Sequence, residues 1–234
     1  MQKIVVLTGA GISAESGIKT FRDADGLWEN HDVMEVASLE GWRKNPALVL
    51  EFYNQRRRQL AEVQPNAAHH ALVELESDYE VSIVTQNVDD LHDRAGSSHI
   101  IHLHGELRKV RSSKDPSLIY YWEKDIILGD TCELGSQLRP NIVWFGEEVP
   151  LLMDAAAEVS KADYIIIVGT SMQVYPAAGL VAFAPPQARV YYVDPRPAIN
   201  YELRQSANLE VIAEKATTGV RKVVDQLLLH LDIS

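Results

Sequence analysis

With 234 residues, 46% of them hydrophobic, the chain has ample material for a core, and 33 Asp+Glu against 22 Lys+Arg leave a net charge of −11 with no basic block long enough to track a phosphate backbone. Disorder and nucleic-acid binding are therefore excluded as first readings. A single cysteine, Cys132, excludes an intrachain disulfide, and the most apolar run, "YIIIVG" at 164–169, is far short of the ~20 residues that cross a bilayer. No charged segment followed by an apolar one opens the chain, so a soluble, cytoplasmic monomer without a membrane partner is expected.

In chain order, "KIVVLTG" (3–9) reads as a strand that runs into Gly9, Ala10 and Gly11 and then a short helix near Ser13 to Ser16. Helical spacing of apolar residues follows over 45–63 and 66–78, then strand-like runs at 79–87 and 99–105. Residues 106–140 break the rhythm with scattered charges, Pro116, Gly129, Gly135 and Pro140, and read as a small inserted module. Beyond it come a strand at 141–146, a helix at 152–163, strands at 164–171 and 189–194, and a helix at 218–231 with Thr218 as its cap. Continuous β-branched runs suit strands covered on both faces, and their alternation with helices predicts a doubly wound α/β fold with a parallel sheet and a small inserted module.

The glycine turn at 9–11 admits two readings, a nucleotide cradle at a strand-to-helix turn or an ordinary tight βα connection. Its spacing, with Gly17 as the next glycine, departs from G-x-G-x-x-G. The acidic residue that binds ribose in hydride-transfer enzymes has only Asp23 and Asp25 as candidates, in a glycine-bearing loop, which disfavours a dehydrogenase. Three histidines cluster at His99, His102 and His104. Strand alternation puts the last two on one face, so a metal pair stands beside a catalytic or merely structural role.

Taken in order, "GAGISAESGIKTFRDADGLW" (9–28), "TQNVDDLHDRAG" (85–96), "HLHGEL" (102–107), "NIVWFGE" (141–147) and "VGTSMQVYPAA" (168–178) resemble the sirtuins, the NAD-dependent protein lysine deacylases, over nearly the full chain. The resemblance implies a single catalytic domain over 1–234. Its Rossmann-like part would comprise about 1–30, 66–105 and 141–234, its small helical part about 31–65, and its reduced zinc module about 106–140. It assigns NAD contacts to Gly9, Ala10, Gly11, Ser13 and Trp28, and places Phe21 and Arg22 in the loop that closes over the cofactor. Gln86, Asn87 and Asp89 would line the nicotinamide and ribose pocket, His104 would be the general base with Asn87 beside it, and Gly169, Thr170 and Ser171 would contact the adenosine half. Asp194 stands where the family often has asparagine, and Ala216 falls where it closes over adenine. Residues 141–147 would form an edge to which an extended acyl-lysine peptide adds, Val143, Trp144 and Phe145 walling the acyl-lysine tunnel.

A helix over 45–63 presents Tyr53 and Arg56 on one face. A guanidinium beside a phenol suits a carboxylate, and the pair matches the sirtuin branch that removes malonyl, succinyl or glutaryl groups, with Ala37 leaving room for the longer chain. The products expected are free lysine, nicotinamide and O-acyl-ADP-ribose. Mono-ADP-ribosyl transfer to protein and non-catalytic NAD sensing are the alternatives. Sirtuins normally hold a structural zinc with two Cys-x-x-Cys pairs. Here only Cys132 is available, and Ser112 and Asp115 stand near the first pair, so no zinc is expected. An apolar cluster of Leu118, Ile119, Tyr120, Trp122, Ile126 and Ile127 is expected to hold the module instead.

Overall fold

The computed structural model describes residues 1–19, 27–28 and 31–231; Phe21 and Arg22 lie outside the described residues. Its strands are β1 (Lys3–Thr8), β2 (Leu27–Trp28), β3 (His31–Asp32), β4 (Glu80–Thr85), β5 (Ile100–His102), β6 (Gly105–Ser112), β7 (Ile119–Tyr121), β8 (Leu138–Ile142), β9 (Tyr164–Val168), β10 (Arg189–Val193) and β11 (Leu209–Ile212). The α-helices are α1 (Val33–Val36), α2 (Leu39–Lys44), α3 (Pro46–Leu60), α4 (Ala67–Glu74), α5 (Leu91–Ala95), α6 (Leu152–Val159), α7 (Tyr201–Arg204) and α8 (Ala216–Leu231). None of the described helices is long and apolar enough to cross a membrane.

The main sheet is parallel throughout, in the order β11-β10-β9-β1-β4-β5. Its strands are apolar without alternation because helices cover both faces. Ile4, Val6, Ile83, Ile166 and Tyr191 pack with Leu72 of α4 and Val220 and Val224 of α8. Their sequence neighbours Val5, Leu7, Val84, Ile165 and Tyr192 pack on the opposite face with Ala155 and Val159 of α6. From β1 the chain fills the sheet one way through β4 and β5, then returns to the other side of β1 for β9 to β11. That reversal falls between β1 and β9, and the crevice beyond the carboxyl ends of such neighbours is where open α/β sheets bind ligands.

Both loops at the reversal are glycine loops, and they touch. The Gly9 N–H donates to Val168 O at 3.0 Å and the Gly11 N–H to Gly169 O at 2.8 Å. A Cβ on Gly11 would lie 2.5 Å from Gly169 Cα, so these glycines are required by the approach of two backbones. The helix expected at 13–16 is instead two 3₁₀ turns, Ala10–Ile12 and Ala14–Ser16, stopped by Gly17 at φ 100°.

Three other expectations change. Thr218 does not cap the last helix, which begins two residues earlier; its hydroxyl donates to Lys215 O, while the Glu15 carboxylate accepts from the Thr217 N–H and hydroxyl at the helix start. In the run 141–146 only Asn141 and Ile142 are strand, and they belong to β8, antiparallel to β6 in a separate sheet ordered β7-β6-β8. The rest leaves that sheet, Val143 N–H bonding His104 O and Phe145 N–H bonding Ala37 O. Within the inserted module Ile126, Val110, Cys132 and Leu138 pack with Leu50 of α3, and Leu118, Tyr120 and Trp122 lean on them. Ile119 and Ile127 do not join that cluster: they are 48% and 62% exposed, Ile119 because strand alternation turns it outward on either side of Tyr120.

Candidate active site

A groove of about 570 Å³ runs from the sheet reversal to the small antiparallel sheet. Gly9, Ala10, Gly11, Gly169, Thr170, Ser171, Asp194 and Ala216 line one end. Gln86, Asn87, Asp89 and His104 line the middle, while Trp28, Ala37, Tyr53, Arg56, Val143, Trp144 and Phe145 line the far end. Among the described residues expected at the site, Ser13 alone is not part of the lining. It is fully buried behind the groove, donating to Asp89 Oδ2 at 2.9 Å and accepting from Asn87 Nδ2 at 3.2 Å.

The middle is a rigid polar shelf built by the end of β4. Gln86 Nε2 bonds Thr170 Oγ1 at 3.2 Å, tying β4 to the loop after β9, and Asn87 Nδ2 bonds Gly9 O at 3.1 Å, tying it to the loop after β1. Asp89 accepts the Leu91 N–H at 3.1 Å and starts α5, yet burial pushes its carboxyl up to about 6 against those bonds. At the opposite end of the groove Asp194, nearly fully buried, accepts the Arg196 N–H at 2.8 Å. Glu15, Lys19, Lys215 and Arg196 also line the groove, charged groups that the motif reading left unassigned.

His104 lies in the two-residue turn between β5 and β6 and faces this shelf. Its Nδ1 lies 3.1 Å from Gln86 O. A carbonyl only accepts, so Nδ1 carries the proton and Nε2 keeps a lone pair. Burial lowers its pKa below the ordinary imidazole value, which the Gln86 carbonyl opposes. The ring is therefore neutral and basic at neutral pH. His102 has different partners: its Nε2 lies 3.3 Å from Asp93 Oδ2 and 4.0 Å from Glu106 Oε1. Burial lowers its pKa, but the Asp93 bond and both carboxylate charges outweigh burial and raise it. The two histidines serve separate environments.

At the far end α3 delivers Tyr53 and Arg56 to one wall. Asn45 caps this helix through Leu48 N–H, and Pro46 opens its first turn. Tyr53 packs edge-on against Phe52 at 5.1 Å between ring centroids, and Arg56 lies 4.7 Å over the Phe52 ring. Burial raises the Tyr53 phenol well above its ordinary range, and the Arg56 charge acts in the opposite sense. Glu147, also on the groove lining, accepts from both Arg139 and Arg111 and from the Trp144 N–H. That carboxylate closes the quoted motif "NIVWFGE", but nothing local to the motif names its arginine partners.

The inserted module offers a single thiol where a zinc would sit. Cys132 is buried, with Ser112 Oγ at 3.4 Å and Ser136 Oγ at 3.1 Å from its sulfur. Asp115 accepts from the Ser117 N–H and hydroxyl. Among the described residues no group of three or more His, Cys, Asp or Glu is arranged to hold a metal. One thiol among hydroxyls does not fit a tetrahedral thiolate zinc site.

Residues 9–176 match the Sir2 family. An NAD-dependent protein deacylase of Helicobacter pylori is 62% identical over 228 residues, covering 97% of this chain and 98% of the relative. A Sir2 homologue mutant in complex with ADP-ribose superposes with a TM-score of 0.88 at 38% identity, covering 99% of this chain and 94% of the other. A Sir2 homolog–NAD complex gives a TM-score of 0.87 at 39% identity, covering 98% and 90%.

Proposed function

The chain belongs to the Sir2 family, and from that premise we propose that it is an NAD-dependent protein lysine deacylase whose preferred acyl groups end in a carboxylate, succinyl or malonyl, with acetyl the poorer substrate. The acyl preference rests on the buried Tyr53 hydroxyl and the Arg56 guanidinium on one wall of the groove. A cation and a neutral O–H donor together suit a carboxylate, and a neutral acetyl leaves their hydrogen-bonding capacity unused.

NAD, as co-substrate, would supply a departing nicotinamide and the ribose carbon that receives the acyl oxygen, and one water from solvent would complete the exchange that frees lysine and leaves O-acyl-ADP-ribose. The chain contributes position and a base. Gln86, Asn87 and Asp89 hold the reacting ribose against the shelf described above. His104 Nε2 would take the proton of a ribose hydroxyl as that oxygen bonds the acyl carbon, while its Nδ1–H stays on Gln86 O and fixes the ring. Val143 to Phe145, beyond the end of β8 and on the groove lining, wall the tunnel for the acyl-lysine side chain, their backbone N–H groups being engaged by His104, Glu147 and Ala37.

The test is one peptide carrying acetyl, malonyl or succinyl lysine, assayed with NAD by mass spectrometry in the wild type, Arg56→Met and His104→Ala. Succinyl should be preferred by the wild type, the preference should collapse in Arg56→Met, and His104→Ala should lower turnover of all three by roughly 10²–10⁴-fold. A mass gain on the peptide without O-acyl-ADP-ribose would replace deacylation by ADP-ribosyl transfer. Equal succinyl and acetyl turnover in the wild type would remove the acyl preference.

A further inference from the structure

Tyr53 is held from behind by a residue that the carboxylate reading leaves unused. Trp144 Nε1–H donates to the Tyr53 hydroxyl at 2.9 Å, and the two side chains are 2% and 0% exposed. A phenol oxygen can accept and has one proton to give. With the indole N–H already on the oxygen, rotation of the hydroxyl toward Trp144 is blocked, because a donor faces it there. The Tyr53 proton is directed to the groove side, where a carboxylate can only accept.

The indole is itself fixed. The Arg139 guanidinium carbon lies 3.3 Å from the Trp144 ring centroid, a stacked cation–π contact. Arg139 is in turn clamped by Glu147 at 2.8 and 3.0 Å and donates to Ile142 O at 2.9 Å. Glu147 also takes the Trp144 backbone N–H at 2.8 Å, so one buried ion pair fixes both the ring and the main chain of the tryptophan. Burial keeps the phenol protonated through the neutral range, so the donor is available whenever the enzyme works.

We propose that Trp144 is a positioning residue for acyl selectivity: its indole N–H, anchored by Arg139 and Glu147, aims the Tyr53 hydroxyl proton so that it meets the terminal carboxylate of the acyl chain beside Arg56. This rests on the carboxylate-acyl reading and extends it to a residue that does not touch the carboxylate. It also gives the indole a task that a phenyl ring of similar shape cannot perform.

The experiment compares Trp144→Phe, Tyr53→Phe, the double variant and Arg56→Met, reading the ratio of kcat/KM for succinyl to that for acetyl peptide. Any loss common to both peptides cancels in that ratio. Trp144→Phe should lower it about tenfold, the size of one charge-assisted hydrogen bond, mainly through the succinyl KM. The double variant should be no worse than Tyr53→Phe, because the indole acts only through the phenol. In ¹H–¹⁵N spectra, Tyr53→Phe should shift the Trp144 indole N–H resonance and speed its exchange with solvent. If Trp144→Phe keeps the wild-type ratio while Tyr53→Phe loses it, the positioning role is overturned and the acyl reading stands. If neither Tyr53→Phe nor Arg56→Met changes the ratio, the acyl reading fails and the positioning role with it. Should Trp144→Phe not fold, the indole signal decides, and a resonance unmoved by Tyr53→Phe overturns the proposal.

Discussion

Replacing Glu147 by Gln keeps the shape of the side chain and removes the carboxylate charge that faces Arg139 and Arg111. The three side chains are only 15%, 6% and 12% exposed, and the carboxylate takes two bonds from each arginine's reach at 2.8 to 3.1 Å. Removing one member of a buried pair leaves an uncompensated charge and costs about 3–5 kcal/mol. The amide keeps one accepting oxygen and Glu147 has some contact with water, so the lower end, about 3 kcal/mol, applies. For a chain of this length that lowers Tm by roughly 6–12 °C. Burial pushes the Glu147 carboxyl up, but the Arg139 bond, the Trp144 N–H and the guanidinium charges outweigh burial and hold it below the usual carboxylate range. A depressed acid stabilises the fold above its unfolded pKa, about 4.3, and that stability disappears as the pH falls through the folded value. Denaturant unfolding of both proteins between pH 7 and pH 3.5 should therefore show a gap that is constant above about pH 5.5 and narrows below about 4.3. A gap under about 1 kcal/mol at pH 7, or one that does not narrow in acid, would refute the reasoning.

Two further outcomes are expected. Chelation with 1,10-phenanthroline should leave Tm within about 1 °C, since a structural zinc carries folding free energy outright and its removal would be unmistakable; stoichiometric zinc in the purified chain would contradict the donor set around Cys132. His69 and His92 are buried with ring centroids 4.9 Å apart, His92 Nε2 lying 3.1 Å from Thr8 Oγ1, and burial pushes their pKa values down to about 4 and about 3. Both values are depressed, so the pair favours the fold above the unfolded value of about 6.5, and this contribution is lost as the pH falls below it, by up to about 1.4 kcal/mol per pH unit for each ring. His92→Gln should remove about half of that slope between pH 6 and 4.5, and an unchanged slope would place its origin elsewhere.

Some of this was legible without coordinates for a simple reason. "KIVVLTG" and "YIIIVG" are apolar at every position, and only a strand covered on both faces uses such a run, so the parallel sheet follows from composition over a few residues. "NIVWFG" has nearly the same composition, yet its first two residues pair antiparallel with β6 and the rest leaves the sheet. Local hydrophobicity states that a segment is buried and says nothing of its partner. Ile119 and Ile127 differ from a core expectation in the same way: their side chains are apolar, but both are exposed, because the neighbours that would cover them are set by the turns of the module.

The site divides along the same line. Gly9, Gly11, Asn87, His104 and Gly169 sit in motifs whose order alone placed them together, because each ends or follows a strand of one parallel sheet and strand ends converge at the reversal of strand order. What the sequence determined by itself was therefore the sheet, the convergence of these loops and the types of group available there. Only the tertiary structure decided that Ser13 turns inward to Asp89, that the His104 proton sits on Nδ1, and that Trp144 reaches Tyr53 from 91 residues away, fixed by Arg139 and Glu147. A hydrogen bond between side chains depends on position to within a fraction of an ångström, and that position is set by every element packed between the two residues, which no local pattern encodes.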